Sequence, residues 1–107
     1  MSKSRDILDL DVDFENYPEW VEDNRLLFLQ ETISASEEMV RDELDNIHIM
    51  TINVISEIGG MRVVCNLNRE DLGESLEKVL EKCVESEEYE LAQRAKNLQN
   101  YLDEHDS

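Results

Sequence analysis

The sequence predicts a small α+β domain, and three observations carry that reading: a strict two-residue alternation near the N-terminus, a glycine pair between two β-branched runs, and two helical stripes in the last third. One domain, 1–107, accounts for the chain, because 107 residues lie near the usual size of a single core. With 40% hydrophobic and 35% charged residues, that core is expected to be thin.

From Leu8 to Glu15 apolar and acidic residues alternate without a slip: Leu8, Asp9, Leu10, Asp11, Val12, Asp13, Phe14, Glu15. Strand geometry puts the apolar set on one face and the four carboxylates on the other. Residues 1–21 therefore read as a charged edge strand or, equally, as a flexible recognition arm. Tyr17, Pro18 and Trp20 follow, and the proline is expected to interrupt regular structure.

Residues 22–46 are expected to be helical, since Leu26, Leu29, Ile33, Val40 and Leu44 collect on one helical face. Ser34 and Glu37 match a capping box, which predicts a kink or a restart inside that helix.

Between Ile47 and Leu67 two periods compete. The run is rich in β-branched residues, yet Val40, Ile47 and Val54 continue a helical spacing. Folding the chain about Gly59-Gly60 as a turn pairs Glu57 with Arg62, Val54 with Cys65 and Ile52 with Leu67. It leaves Ile52, Val54, Ile58, Met61, Val63, Cys65 and Leu67 on one apolar side, which favours a β-hairpin. The alternative is an all-α chain with one long helix over 22–58, capped by Gly59.

After Leu67 the pattern predicts a helical hairpin over 68–104. Asn68 is the expected N-cap, with Asp71 near the positive end of the helix dipole. Leu72, Leu76, Val79, Leu80 and Cys83 or Val84 form the first stripe, and the chain is expected to turn near Glu85 and Ser86. Ser86 then caps a second helix with the stripe Leu91, Ala95, Leu98 and Leu102, where Ala92 and Ala95 permit close approach. His105, Asp106 and Ser107 should fray.

Charge narrows the function classes. The formal net charge is −17, which disfavours phosphate backbones and anionic membranes as ligands, so direct nucleic-acid binding is not expected. No run approaches the ~18 apolar residues of a membrane span, and MSKSRDILDLDVD lacks the apolar core of a secretory signal, so a cytoplasmic location is expected. Cys65 and Cys83 have no CxxC spacing and are expected to stay reduced.

Catalytic and metal chemistry find little support. Asp9, Asp11 and Asp13 begin like a calcium loop, but Phe14 stands where glycine is needed and Trp20 where a bidentate glutamate belongs. His48, Cys65, Cys83 and His105 include no short chelating pair for zinc. No nucleophile motif surrounds either cysteine, and Gly59-Gly60 is too short for a phosphate-binding loop. The residues thus point to a non-enzymatic chain without a cofactor.

Residues 76–102, LEKVLEKCVESEEYELAQRAKNLQNYL, resemble the UVR motif of the excision-repair subunits UvrB and UvrC. The resemblance rests on Leu76-Glu77, Leu80, the Glu88-Tyr89-Glu90 turn, Ala92, Arg94, Lys96 and Leu102, in that order. It implies a helical hairpin that binds a protein partner near its aromatic turn, and assigns Tyr89, Glu90, Arg94 and Lys96 to the contact. Nothing before residue 70 resembles the repair proteins, so a role in repair does not follow.

The sequence therefore predicts a protein-interaction or regulatory module, with Phe14 and Trp20 as aromatic anchors on the N-terminal arm. A reading from another class is an acidic nucleic-acid mimic or phage-type inhibitor, whose carboxylates occupy a basic site on a host enzyme or defence protein. A homodimer is also expected, because a charged chain with a thin core gains stability by burying stripes between copies.

Overall fold

The alternating N-terminal segment is a strand, and it pairs in parallel with the middle of the chain rather than standing as a free arm. In the computed structural model, which describes residues 7–105, the order is β1 (Leu8–Asp13), a 3-10 turn (Phe14–Asn16), α1 (Tyr17–Asp23), α2 (Arg25–Arg41), β2 (Asn46–Ser56), β3 (Gly59–Asn68), a second 3-10 turn (Arg69–Asp71), α3 (Leu72–Glu85) and α4 (Tyr89–His105). The first six positions of the acidic arm, and the fraying expected of Asp106 and Ser107, lie outside the described residues.

The sheet is ordered β1-β2-β3, with β1 parallel and β3 antiparallel to β2. Parallel pairing requires a long crossover, which α1 and α2 supply. Leu8, Leu10 and Val12 align with Met50, Ile52 and Val54, so the apolar face of β1 continues onto β2. That face packs into one core with Leu29, Ile33 and Met39 of α2, Leu72, Leu76, Val79 and Cys83 of α3, and Leu91, Ala92, Ala95 and Leu102 of α4. The α+β class and the C-terminal helical hairpin are as the sequence predicts.

The all-α alternative fails, because β2 is hydrogen-bonded to a strand on each side. Its competing periods have a physical cause. A bulge between His48 and Met50 shifts the register, so that Ile47 pairs with Leu67 but Met50 pairs with Cys65. The extra residue restarts the two-residue alternation, and buried apolar residues fall at 47 and 49 and then at 50, 52 and 54. Read without the bulge, that spacing imitates a helix.

The hairpin turn also differs from expectation. Ser56 pairs with Gly59, so Glu57 and Ile58 form the turn and the glycines begin β3. Gly59 carries the positive φ, at 139°, and its carbonyl accepts from Ser56 Oγ at 2.6 Å. Between the turn and the bulge the displacement is even, which keeps Ile52, Val54, Met61, Val63 and Cys65 on their expected face, whereas Ile58, expected on that face, stands fully exposed in the turn. Arg62 consequently faces Asn53 instead of Glu57, and Val54 pairs with Met61 instead of Cys65.

Four local expectations need correction. Pro18 lies in the first turn of α1, where its missing N–H costs nothing, so it starts a helix rather than ending structure. The helix expected over 22–46 divides at Asn24, whose side chain donates to the Trp20 carbonyl at 2.8 Å. Asn68 makes no capping bond and precedes a 3-10 turn, so α3 begins only at Leu72. Ser86 is the C-cap of α3, and α4 starts at Tyr89.

Both α2 and α3 end in the same hydrogen-bonded motif. Leu44 N–H donates to Met39 and Glu43 N–H to Val40 at the end of α2; Glu88 N–H donates to Cys83 and Glu87 N–H to Val84 at the end of α3. These are Schellman caps, whose left-handed position is usually glycine. Here it is Glu43 (φ 52°) and Glu87 (φ 58°). A left-handed non-glycine residue costs about 1–2 kcal/mol, partly offset because glycine loses about 0.5–1 kcal/mol more chain entropy on folding. Glu43→Gly with Glu87→Gly is therefore expected to stabilise the protein by about 1–2 kcal/mol in all, read from urea unfolding midpoints. A loss of stability would contradict this account of the two caps.

Candidate functional site

A surface depression lies where β1 and β2 end. Asp13 at the end of β1 and Phe14, Glu15 and Asn16 of the first 3-10 turn face Ile55, Ser56, Glu57 and Ile58 from the hairpin, around a space of about 640 Å³. The parallel register puts Asp13 beside Ile55, which brings these two chain segments together. Phe14 is 61% exposed, Ile55 48% and Ile58 100%, so three large apolar side chains meet water on one rim of the sheet. Asp13, Glu15 and Glu57 are the charged lining residues, and none of the lining is basic.

Contiguous exposed apolar surface of this kind marks an interaction site more often than chance exposure does. The open sheet face beside it is acidic. Asp9, Asp11 and Asp13 alternate along β1, and Asn53 donates to Asp9 and, at 2.9 Å, to Asp11. Thr51, on the same face, is buried and its hydroxyl lies 2.8 Å from His48 Nε2.

The residues singled out in the sequence are dispersed. Phe14 belongs to the depression. Trp20 does not line it: its ring stacks on Tyr17 with centroids 6.3 Å apart and meets Phe28 edge-on at 5.5 Å, so it closes α1 over α2 at the rim of the core. Tyr89, at the first position of α4, is 64% exposed, and Glu90 and Lys96 are also exposed. The apolar stripes of the hairpin are buried in the shared core, while Val84 and Tyr89 at its tip and Tyr101 further along α4 are exposed.

Arg94 has a structural role that the sequence does not reveal. It reaches α2 and clamps Glu37 with both Nε, at 3.2 Å, and Nη2, while Nη2 also lies 3.2 Å from Ser34 Oγ. The expected capping box at Ser34 and Glu37 is instead this receptor for Arg94, and α2 runs on without a restart. The hydrogen bonds to Glu37 raise the Arg94 pKa further, with the carboxylate's charge adding to them. Arg94→Glu sets two carboxylates face to face and is expected to cost about 1 kcal/mol, a figure kept low because both side chains are partly exposed. Tyr89→Ala should leave the unfolding midpoint nearly unchanged. Equal midpoints for Arg94→Glu and the parent chain would remove the clamp from this account.

Burial pushes both thiols above their ordinary range, and the Glu88 charge adds to the effect at Cys83. Neither thiol is therefore an activated nucleophile at neutral pH. Among the described residues, no three histidine, cysteine or acidic side chains gather in a metal-binding group, and no helix is long and apolar enough to cross a membrane.

Comparison with protein-family models, with curated proteins and with solved structures returns no match for this chain.

Ile55 and Ile58 are the site residues that sequence reasoning did not single out. With the turn expected at Gly59-Gly60, Ile58 reads as an apolar strand residue, and it is exposed because the turn falls at Glu57 and Ile58 instead.

Proposed function

We propose that this chain is a non-enzymatic protein-interaction module, and that it holds a partner segment at the sheet end through Phe14, Ile55 and Ile58. The observation that carries this reading is the pairing of an exposed apolar floor with the carboxylates of Asp13, Glu15 and Glu57. Such a surface suits a peptide or loop that presents an aliphatic or aromatic side chain next to lysine or arginine. The apolar contact supplies most of the affinity, and the acidic rim sets charge preference and association rate. A peptide array that varies apolar and basic content tests it directly. Peptides with both features should bind, peptides with glutamate in place of the basic residue should not, and binding without that preference would overturn the assignment.

The UVR-like reading contributes a second contact at the hairpin tip, favoured by the exposure of Tyr89 and Val84 beside Glu90. The acidic-mimic reading is favoured by a different observation, the row of Asp9, Asp11 and Asp13 on the open sheet face. Alternate strand residues lie about 6.6 Å apart, a regular row of negative charge. Salt separates the classes: a mimic loses its target steeply as ionic strength rises, whereas an apolar contact at Phe14 and Ile58 persists.

A further inference from the structure

The two edges of the sheet are unlike. β1 carries Asp9, Asp11 and Asp13, and charge on an edge strand blocks pairing with a further strand. β3 has no such protection. Its ten residues, GGMRVVCNLN, contain one charged side chain, Arg62, and no proline, and among the described residues no strand pairs with its outer side. It is also exposed on both faces, with Met61 on the helix side and Val64 on the open side.

Charge decides what fits there. Two copies of a chain with net charge −17 repel one another overall. Of the two sheet edges, β3 has no acidic side chain and one cation, whereas β1 has three aspartates. We propose that two copies of this chain pair β3 with β3, antiparallel about a two-fold axis, to make one six-stranded sheet. Side chains directly opposite in an antiparallel pair share a face, which limits the registers. Two registers centred on the strand use nearly all of it. One centres on Val63 and sets Arg62 opposite Val64 of the other copy; the second centres on Val64 and sets Arg62 opposite Asn66. Both avoid the like-charge pair that a register centred on Arg62 creates. Either one brings Met61, Val63 and Cys65 of both copies together on the helix side and covers Val64 on the other.

This contact is separate from the sheet-end depression, and salt acts on it in the opposite sense from a basic partner. Screening relieves the repulsion between two acidic bodies, so dimerisation should tighten as salt rises. The test is sedimentation equilibrium of the full chain at low and high salt, joined to amide hydrogen exchange at several concentrations. The expected result is a dimer that strengthens with salt, with exchange over Gly59–Asn68 slowing as concentration rises. Arg62→Glu combined with Val64→Asp should weaken dimerisation at least about tenfold, because the pair sets carboxylates directly opposite one another in either register. Lys96→Glu, which makes the same charge change as Arg62→Glu outside the contact, should not. A monomer at high salt, a dimer whose protection falls elsewhere, or a folded Arg62→Glu, Val64→Asp double variant that dimerises like the parent would each overturn the proposal.

Discussion

Ile33→Ala is expected to lower the unfolding free energy by about 2–5 kcal/mol, the cost of emptying a sealed aliphatic site that cannot fully collapse. Ile33 lies midway along α2, has no solvent exposure, and belongs to the one core that joins the sheet to all three long helices. Domains of this size are stable by about 5–15 kcal/mol, so the loss is a large fraction of the whole. Leu26 provides the contrast. It sits on the same predicted stripe but remains exposed near the start of α2, and Leu26→Ala should change stability by less than about 0.5 kcal/mol. Urea unfolding of both variants checks the pair. Similar midpoints would mean that the core is not arranged as described.

Phe14→Asp combined with Ile58→Asp is expected to abolish binding at the sheet end while leaving the fold intact. Each side chain is a candidate anchor, and truncating an anchor commonly costs about 2 kcal/mol or more, which is roughly 30-fold in affinity. Carboxylates add desolvation to that loss. Because Ile58 is fully exposed and Phe14 largely so, neither contributes much to the core, and thermal unfolding should move little. Affinity for a peptide selected on the array, compared with the melting curve of the same preparation, reads both halves. Retained affinity in a folded double variant removes this surface from consideration.

How far the sequence is legible depends on whether a feature is local. The alternation from Leu8 to Asp13 and the stripes Leu72–Leu76–Val79 and Leu91–Ala95–Leu102 are set by short-range periodicity, and each forms its expected element on its expected face. Single-residue insertions and unusual backbone angles defeat the same reasoning. The bulge at His48 and Met50 breaks the period of β2, and the Schellman caps use Glu43 and Glu87 where the legible signal is glycine. Pro18 misleads because one residue type has opposite meanings at the start and in the middle of a helix.

The site is less legible than the fold. Phe14 is exposed beside Ile55 and Ile58 only because β1 pairs in parallel with β2, a contact between segments more than forty positions apart. The same is true of Arg94, which the sequence resemblance assigns to a partner contact but which meets Glu37 on α2 in the fold. Trp20, an aromatic in a proline-containing segment, has the composition of an anchor but is consumed by stacking with Tyr17 and Phe28. Residue type alone does not separate these two fates.

Site-specific photocrosslinking in the native cell tests the sheet-end contact most directly, with a photoreactive phenylalanine analogue at position 14 or 58 and, in parallel, at position 89. The same discrete protein adduct is expected from positions 14 and 58, lost when Ile55→Asp is added and retained at high salt. An adduct formed only from position 89, or none from 14 and 58 in a folded protein, would rule out the sheet end as the binding surface.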